Sequence, residues 1–259
     1  MAQFLLISTL MTIAGLIATM VAGFIANRLL ATFPPQLREA VRDQIEIVTL
    51  AIGDTVLERG EAVESSLFPF GTTMISMIIE LGDGRSVEVA SIGKEGAVGG
   101  IVSCGHAPAF ARARVIVAGE AARVPMHVIE QAKAGSGHMR NLFCRFSDFL
   151  LSQIMQSVAC NSFHSIEQRA ARWLLTAQDR AGSRIELTQE ALSALLGVQR
   201  TTVNAVARQL VDEGLITTSR GAMSVVDRAG LERAACECHD RVEDFFGEVI
   251  GEGGLGRSA

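Results

Sequence analysis

The clearest pattern of apolar and polar positions lies between Thr188 and Leu210, where it predicts two short helices. The apolar positions at helical spacing are Leu192, Leu195 and Leu196 in the first helix and Val203, Val206 and Leu210 in the second. Thr188 is a good N-cap for the first helix, small Ser193 allows a close crossing, and Gly197 gives the freedom that a tight turn needs. The pattern is typical of a helix-turn-helix.

The second helix projects polar and cationic side chains outward, and a predicted hairpin follows it. The outward residues are Gln199, Arg200, Thr201, Asn204 and Arg208. Such side chains can hydrogen-bond to base edges and phosphates. Residues 215–218 and 223–226 read as two short strands, joined by a turn at Arg220 and Gly221. A hairpin at this place is a wing, so the segment predicts a winged helix-turn-helix that binds DNA.

The N-terminal half shows short alternating segments that predict β-strands. They are Glu46–Leu50, Thr55–Leu57, Met74–Leu81, Ser86–Ala90, Ala113–Val117 and Ala121–Val124. Strands this short and regularly spaced indicate an antiparallel sandwich or jelly roll. The predicted fold class is therefore α+β, with a β jelly-roll sensor domain, a long helix and a C-terminal winged helix-turn-helix domain.

A long helix is predicted between these parts, because residues 138–178 contain no glycine or proline. Its apolar stripe contains Leu142, Phe146, Phe149, Leu150, Ile154 and Val158. The stripe can pack on the chain's own β-domain or form a seam with a second copy. We expect the seam with a second copy of the chain, because the helix lies between a predicted sensor domain and a predicted DNA-binding domain.

Composition and charge limit the class of protein. With 259 residues, the chain is long enough for two domains, and a net charge of −5 argues against a general nucleic-acid coat protein. Between positions 191 and 210 there are two arginines and no acidic residue, so the reading surface is locally positive. We find no plausible nucleophile–base set or nucleotide loop, so we expect no catalytic residues and no enzyme activity.

The five cysteines show neither a disulfide framework nor a zinc-ligand spacing, which suits a reducing cytoplasm. They are Cys104, Cys144, Cys160, Cys236 and Cys238. The segment 236–239 (Cys-Glu-Cys-His) is either a metal or redox site or part of an amphipathic helix with small residues packed inward. We expect the helix, and hence no metal and no cofactor.

The order of elements resembles the CRP/FNR family of bacterial transcription regulators. The residues that carry the resemblance are the hairpin loop 81–85 (LGDGR), the glycine run 96–100 (GAVGG), the segment 167–175 (EQRAARWLL) and the helix-turn-helix itself. The resemblance covers roughly residues 27–246. It implies a cytoplasmic homodimer on inverted-repeat double-stranded DNA, with RNA polymerase as a further partner, and it assigns a guanine contact to Arg200.

The signal-binding cassette of that family is degenerate here. Its candidate residues are Gly96, Gly99, Gly100, Arg112 and Arg114. The family's glutamate position is Gly100, and residues 107–111 contain no arginine followed by serine or threonine, so we do not expect cyclic AMP binding of the usual kind. No cysteine precedes Cys104, which excludes an N-terminal iron–sulfur cluster. We take His106, His127 and His138 as surface groups rather than haem or metal ligands.

Residues 4–26 carry no charge and are long enough, as a helix, to cross a bilayer. Three interpretations stay open: an anchor to the inner membrane, an upstream start with translation beginning at Met11 or Met20, or an apolar helix packed on the dimer. An alternative function is a membrane-tethered sensor that acts on a protein partner.

The predicted domains are 1–27 (apolar segment), 28–135 (β-domain), 136–164 (dimerisation helix), 165–246 (DNA-binding domain) and 247–259 (tail).

Overall fold

The computed structural model describes residues 26–100 and 107–250. Two short helices, α1 (Arg28–Ala31) and α2 (Pro35–Arg42), precede the first strand. Asn27 caps α1 by accepting two backbone N–H groups, and its side-chain amide donates to the carbonyls of Pro69 and Gly96 at 2.8 Å each. Because these bonds satisfy the buried Asn27 side chain, they fix α1 to the β-domain.

The β-domain contains two antiparallel sheets. Its strands are β1 (Glu46–Leu50), β2 (Thr55–Leu57), β3 (Ser65–Phe70), β4 (Met74–Glu80), β5 (Ser86–Ile92), β6 (Arg112–Val117) and β7 (Gly119–Pro125). One sheet has the order β1-β7-β3 and the other β2-β6-β4-β5. Leu67, Ile75 and Val115 belong to the apolar cluster between the sheets. The predicted α+β class with an antiparallel β-domain is confirmed.

Strand β3 is absent from the sequence prediction, because Pro69 lies within it. Proline cannot donate a hydrogen bond to a neighbouring strand and is therefore confined to edges or bulges. The structure places β3 at the edge of its sheet, where β7 is its only partner strand besides an isolated bridge between Leu67 and Val98, and Pro69 lies opposite Ala121. The edge position explains how a proline is tolerated in an otherwise buried strand.

The stretch 138–178, which contains no glycine or proline, forms two helices rather than one. After α3 (Met126–Gly135), the structure has α4 (Gly137–Phe163) and then α5 (Ile166–Ala181). Ser165 has extended backbone angles and forms a capping box with Gln168, in which each side chain accepts the other's backbone N–H. A cap thus starts a new helix at Ile166 in a stretch without glycine or proline.

The C-terminal part forms a second apolar core. Its elements are β8 (Arg184–Ile185), α6 (Gln189–Leu196), α7 (Arg200–Asp212), β9 (Ile216–Ser219), β10 (Ala222–Val225), α8 (Arg228–Ala234) and α9 (Cys238–Val249). Trp173 and Leu174 of α5 share this core with Leu192 of α6 and Val203 of α7. Helix α9 returns to α4, where the rings of Phe246 and Phe149 lie 4.9 Å apart.

Candidate DNA-binding surface

Helices α6 and α7 form the predicted helix-turn-helix. The Thr188 hydroxyl accepts the N–H of Ala191 at 3.0 Å, which caps α6. Gly197 ends α6 with φ +66°, in the left-handed region that favours glycine. The buried face of α7 differs slightly from the prediction: Val206 is half-buried, and Ala207 is buried instead.

The opposite face of α7 carries the side chains predicted to read DNA. Gln199, Arg200, Thr201 and Arg208 are exposed. Asn204 is half-buried, and its Oδ1 atom has no hydrogen-bond partner among the described residues. Because four of these five positions are accessible, a DNA duplex can reach them without any change within the two helices.

Arg200 makes a loose ion pair within the helix-turn-helix. Its Nη1 lies 3.6 Å from a carboxylate oxygen of Glu190, and the two side chains are 65% and 76% exposed. Exposed pairs of this kind contribute little to stability, since water screens the charges. The guanidinium of Arg200 is therefore available to exchange Glu190 for a base or a phosphate.

The hairpin after α7 has the geometry of a wing. Strands β9 and β10 pair antiparallel with Ser219 opposite Ala222, and Gly221 in the turn has φ +76°. Arg220 is exposed at the tip and lines a cleft of about 470 Å³ between the wing and the β-domain. Arg114 and Arg184 line the same cleft, which gives this side of the molecule three arginines.

The inner face of the DNA-binding domain docks on the β-domain through buried charges. Arg180 of α5 pairs with Glu95 at 2.6 Å, and both side chains are almost fully buried, at 6% and 5% exposure. Trp173 Nε1 donates to Glu88 of β5 at 3.0 Å. Burial raises the pKa of Glu88, against the opposing effect of its hydrogen bond with Ser76.

The turn of the helix-turn-helix also contacts β5. A Cβ added at Gly197 would lie 3.2 Å from Val87 Cγ2, so the backbone of the turn approaches this strand closely. Helix α6 also contacts β5. The helix-turn-helix is thus held by the β-domain on one side and open on the other.

The glycine run of the predicted ligand cassette is explained by packing. Gly99 and Gly100 have φ values of +99° and +57°. A Cβ at Gly96 would lie 2.7 Å from the Phe146 ring, and one at Gly99 would lie 2.6 Å from the carbonyl oxygen of Ser65. These contacts require glycine for backbone conformation and close approach, independently of any ligand.

A pocket of about 440 Å³ lies beside these glycines in the β-domain. The described residues that line it are all apolar or glycine, and they include Met77, Val89, Phe110 and Ile154. Arg112 and Arg114 do not line it. Because Ala113 and Val115 point into the core, the alternating arginines of β6 point outward.

The two arginines of β6 have partners on the outer surface. Arg112 pairs with Glu58 at 2.9 Å and with Glu80 at 2.6 Å. These interactions raise the pKa of Arg112, chiefly through its hydrogen bond with Glu58. Arg114 donates to the carbonyl of Gly53 at 3.2 Å. The structure therefore does not bring these cations together with Gly96, Gly99 and Gly100.

The predicted dimer stripe of α4 divides into two groups. Leu142, Phe146 and Phe149 are buried in the core of their own chain, with at most 1% exposure, and Leu150 is half-buried. Ile154 and Val158 are 37% and 63% exposed. The prediction missed two neighbouring apolar residues that are also exposed: Leu151 at 53% and Met155 at 64%.

The remaining sequence predictions concern the histidines and the N-terminal segment. His127 and His138 are exposed, whereas His106 and most of the apolar segment 4–26 lie outside the described residues. Within the described ranges, no helix is both long enough and apolar enough to cross a membrane.

Comparison with known proteins relates the C-terminal part of the chain to a known domain and the whole chain to a known fold. Residues 168–234 match the model of the Crp-like helix-turn-helix domain. No curated protein sequence matches the chain.

Three solved structures illustrate the similarity of fold. FixK2 from Bradyrhizobium japonicum is 16% identical with a TM-score of 0.64, and the match covers 74% of this chain and 98% of that one. A CRP-family regulator from Thermus thermophilus is 20% identical (TM-score 0.61, 73% and 96% covered). The c-di-GMP-responsive global regulator CLP from Xanthomonas campestris is 14% identical (TM-score 0.60, 75% and 100% covered).

The sheets, the long helix and the winged helix-turn-helix together define the architecture of a CRP/FNR-type transcription regulator. This chain has that fold, and its residues 168–234 are a Crp-like helix-turn-helix domain.

Proposed function

We propose that this protein is a homodimeric, sequence-specific transcription regulator that binds inverted-repeat double-stranded DNA. The observation that carries the proposal is the open face of α7, which presents Arg200 and Arg208 beside the wing while the opposite face is buried. RNA polymerase is the protein partner that a DNA-bound regulator of this fold would contact.

The side chains of the open face divide by chemistry into two roles. Arg200 is suited to a bidentate contact with the O6 and N7 atoms of guanine, a contact worth about 1–3 kcal/mol of discrimination. Gln199 and Thr201 have donors and acceptors for neighbouring base edges, and Asn204 would join them only if its buried Oδ1 turned outward. Arg208 and Arg220 would contact phosphates, which position the protein without reading the sequence.

We infer that the second copy packs on the exposed half of the α4 stripe. Leu151, Ile154 and Val158 repeat with spacings of three and four residues, as in a coiled-coil seam, and Met155 widens the strip. A single chain leaves these four apolar side chains in water. A parallel pairing of two α4 helices would cover them and would present two copies of α7 with two-fold symmetry, as an inverted repeat requires.

The β-domain pocket is better suited to an apolar ligand than to a cyclic nucleotide. A cyclic phosphate needs a cation beside it, and the described lining residues have no charged side chain. Residues 101–106 (IVSCGH) also contain no arginine or lysine. We therefore propose that the signal, where the pocket receives one, is a small apolar molecule.

Selection of random duplex DNA by the full-length chain tests the DNA-binding proposal. We expect enrichment of an inverted repeat with half-sites about one helical turn apart. Arg200→Ala should weaken binding to that site by about 10- to 100-fold and relax the preference at one guanine. Arg85→Ala removes a similarly exposed arginine from the β4–β5 hairpin and should leave binding unchanged.

Folded protein that selects no sequence would contradict the proposal, as would an Arg200→Ala variant with unaltered specificity. Circular dichroism of each variant establishes that the protein is folded. These outcomes separate a failure of DNA reading from a failure of folding.

The dimer proposal has its own measurement. Ile154→Glu places a charge in the seam, so the protein should sediment as a monomer in analytical ultracentrifugation while its secondary structure is retained. Gln131→Glu adds the same charge at an exposed position on α3 and should leave the dimer intact. A dimer that survives Ile154→Glu would place the interface elsewhere.

A further inference from the structure

Three cysteines and one histidine converge where α4 meets the C-terminal helices. The Sγ atoms of Cys160, Cys236 and Cys238 and a ring nitrogen of His164 all lie within 4.8 Å of one another. The cysteines are buried, and the side chain of His164 is 18% exposed. Soft thiolate and imidazole groups at this density are the donor set of a transition-metal site.

The fold assembles this cluster from two distant segments. Cys160 lies in the last turn of α4, and His164, four residues further on, is the C-cap of the same helix. Cys236 lies in the turn between α8 and α9, and Cys238 is the first residue of α9. Because α9 packs along both α4 and α5, it carries its two cysteines to the end of α4.

The spacing of the donor atoms suits tetrahedral coordination. Cys160 Sγ lies 3.6 Å from Cys236 Sγ, and Cys238 Sγ lies 3.4 Å from His164 Nδ1. With metal–sulfur bonds of about 2.3 Å and metal–nitrogen bonds of about 2.0–2.1 Å, the ligand atoms of a tetrahedral zinc site are about 3.5–3.8 Å apart. The 3.6 Å separation of the two sulfurs is also far longer than a disulfide bond of about 2.05 Å.

Side chains around the cluster hydrogen-bond to its members or lie close to them, as the surroundings of metal sites do. The second ring nitrogen of His164 lies 3.4 Å from Glu237, as in sites where a carboxylate orients a metal-bound histidine. Gln156 Nε2 donates to Cys238 Sγ at 2.9 Å. Arg172 is close enough to Cys160 to interact with its charge, and it would offset the net negative charge of three thiolates on a divalent cation.

We propose that Cys160, His164, Cys236 and Cys238 form a site for one thiophilic divalent cation, with Zn²⁺ as the best match. Four protein ligands would close the coordination sphere, as in structural zinc sites. Thiolates disfavour Mg²⁺ and Ca²⁺, which prefer oxygen ligands.

The place of the site gives it a mechanical consequence. Cys160 and His164 end α4, and the DNA-binding domain begins at the next helix, α5. A metal that joins them to Cys236 and Cys238 would fix the hinge between these two helices. His239 takes no part, because its Nε2 lies 2.8 Å from Asp179 of α5.

The proposed site differs from the sequence prediction of no metal. That prediction weighed the segment 236–239 alone and favoured an amphipathic helix with small residues packed inward. The missing ligands lie more than 70 residues upstream, and the histidine of the cluster is His164 rather than His239.

Titration of the full-length, metal-free, reduced chain with Co²⁺ tests the proposal. We expect one equivalent to bind, with the visible bands of tetrahedral Co²⁺ and a thiolate-to-metal charge-transfer band, and Zn²⁺ should displace it. Cys238→Ser should weaken the charge-transfer band and lower the affinity. Cys144→Ser changes an exposed cysteine on the same helix as Cys160 and should behave as the unmodified protein.

Thermal unfolding provides a second readout. Zn²⁺ should raise the unfolding midpoint of the unmodified protein and of Cys144→Ser, because a ligand that binds only the folded state stabilises it. The midpoint of Cys238→Ser should respond weakly. A folded, reduced protein without a tetrahedral Co²⁺ spectrum would overturn the proposal, as would a spectrum unaltered in Cys238→Ser and Cys160→Ser.

Discussion

Two arginine–carboxylate pairs lie on opposite faces of the DNA-binding domain and differ in burial and in the distance between their charged groups. Arg180 and Glu95 are buried, lie 2.6 Å apart and join α5 to the β-domain. Arg200 and Glu190 are exposed and 3.6 Å apart, on the open face. The inner pair cannot exchange its partner without leaving a buried charge, whereas the outer pair can. The comparison distinguishes an arginine that fixes the domain to the β-domain from one whose exposed side chain can exchange its partner.

The largest expected effect comes from breaking the inner pair. Arg180→Ala leaves the carboxylate of Glu95 buried without its partner, so the free energy of unfolding should fall by about 3–5 kcal/mol. Urea denaturation measures this change. The matched control is Arg184→Ala, which removes an exposed arginine nearby and should cost less than about 0.5 kcal/mol. Equal losses in both variants would contradict the assigned difference.

A smaller loss is expected at the neighbouring contact between the same two regions. Trp173→Phe keeps an aromatic ring but removes the N–H that donates to Glu88 and part of the buried indole, which should lower the free energy of unfolding by about 1–3 kcal/mol. A double-mutant cycle with Glu88→Ala isolates the hydrogen bond. Full additivity in the cycle would mean that this contact does not stabilise the docking of the domain.

The smallest effect is expected on the outer face. Glu190→Gln removes the partner of Arg200 without changing size, so stability should change by less than about 1 kcal/mol. DNA binding, measured by fluorescence anisotropy, should become modestly tighter because Arg200 no longer gives up an ion pair. Strong destabilisation by Glu190→Gln would show that the outer pair is structural like the inner one.

The sequence predicted the helix-turn-helix well because its signals are local. Thr188, Gly197 and the apolar positions of α6 and α7 lie within about two dozen residues, and each acts through backbone geometry or a helix face. The start of α5 is also marked locally, by the capping box of Ser165 and Gln168.

Features that depend on distant partners could not be predicted in the same way. Periodicity identified an apolar stripe on α4, but Phe146 and Phe149 are covered by other parts of the same chain, and Leu151 and Met155 are left exposed. An apolar stripe predicts that its residues are shielded from water, but it does not predict which part of the protein covers them. The same reason applies to the cysteine cluster, whose members come from both ends of the C-terminal half.

The close approach of Gly197 to Val87 has a consequence for protein engineering. A chimera whose new DNA-binding domain carries a side chain at position 197 would bring its Cβ to 3.2 Å from Val87, so Val87 would have to shift or be exchanged with the domain. Glu88 and Glu95 would have to be exchanged together with the domain, because their partners are Trp173 and Arg180 of that domain. The unit that can be grafted therefore includes part of the β4–β5 hairpin and the loop after it.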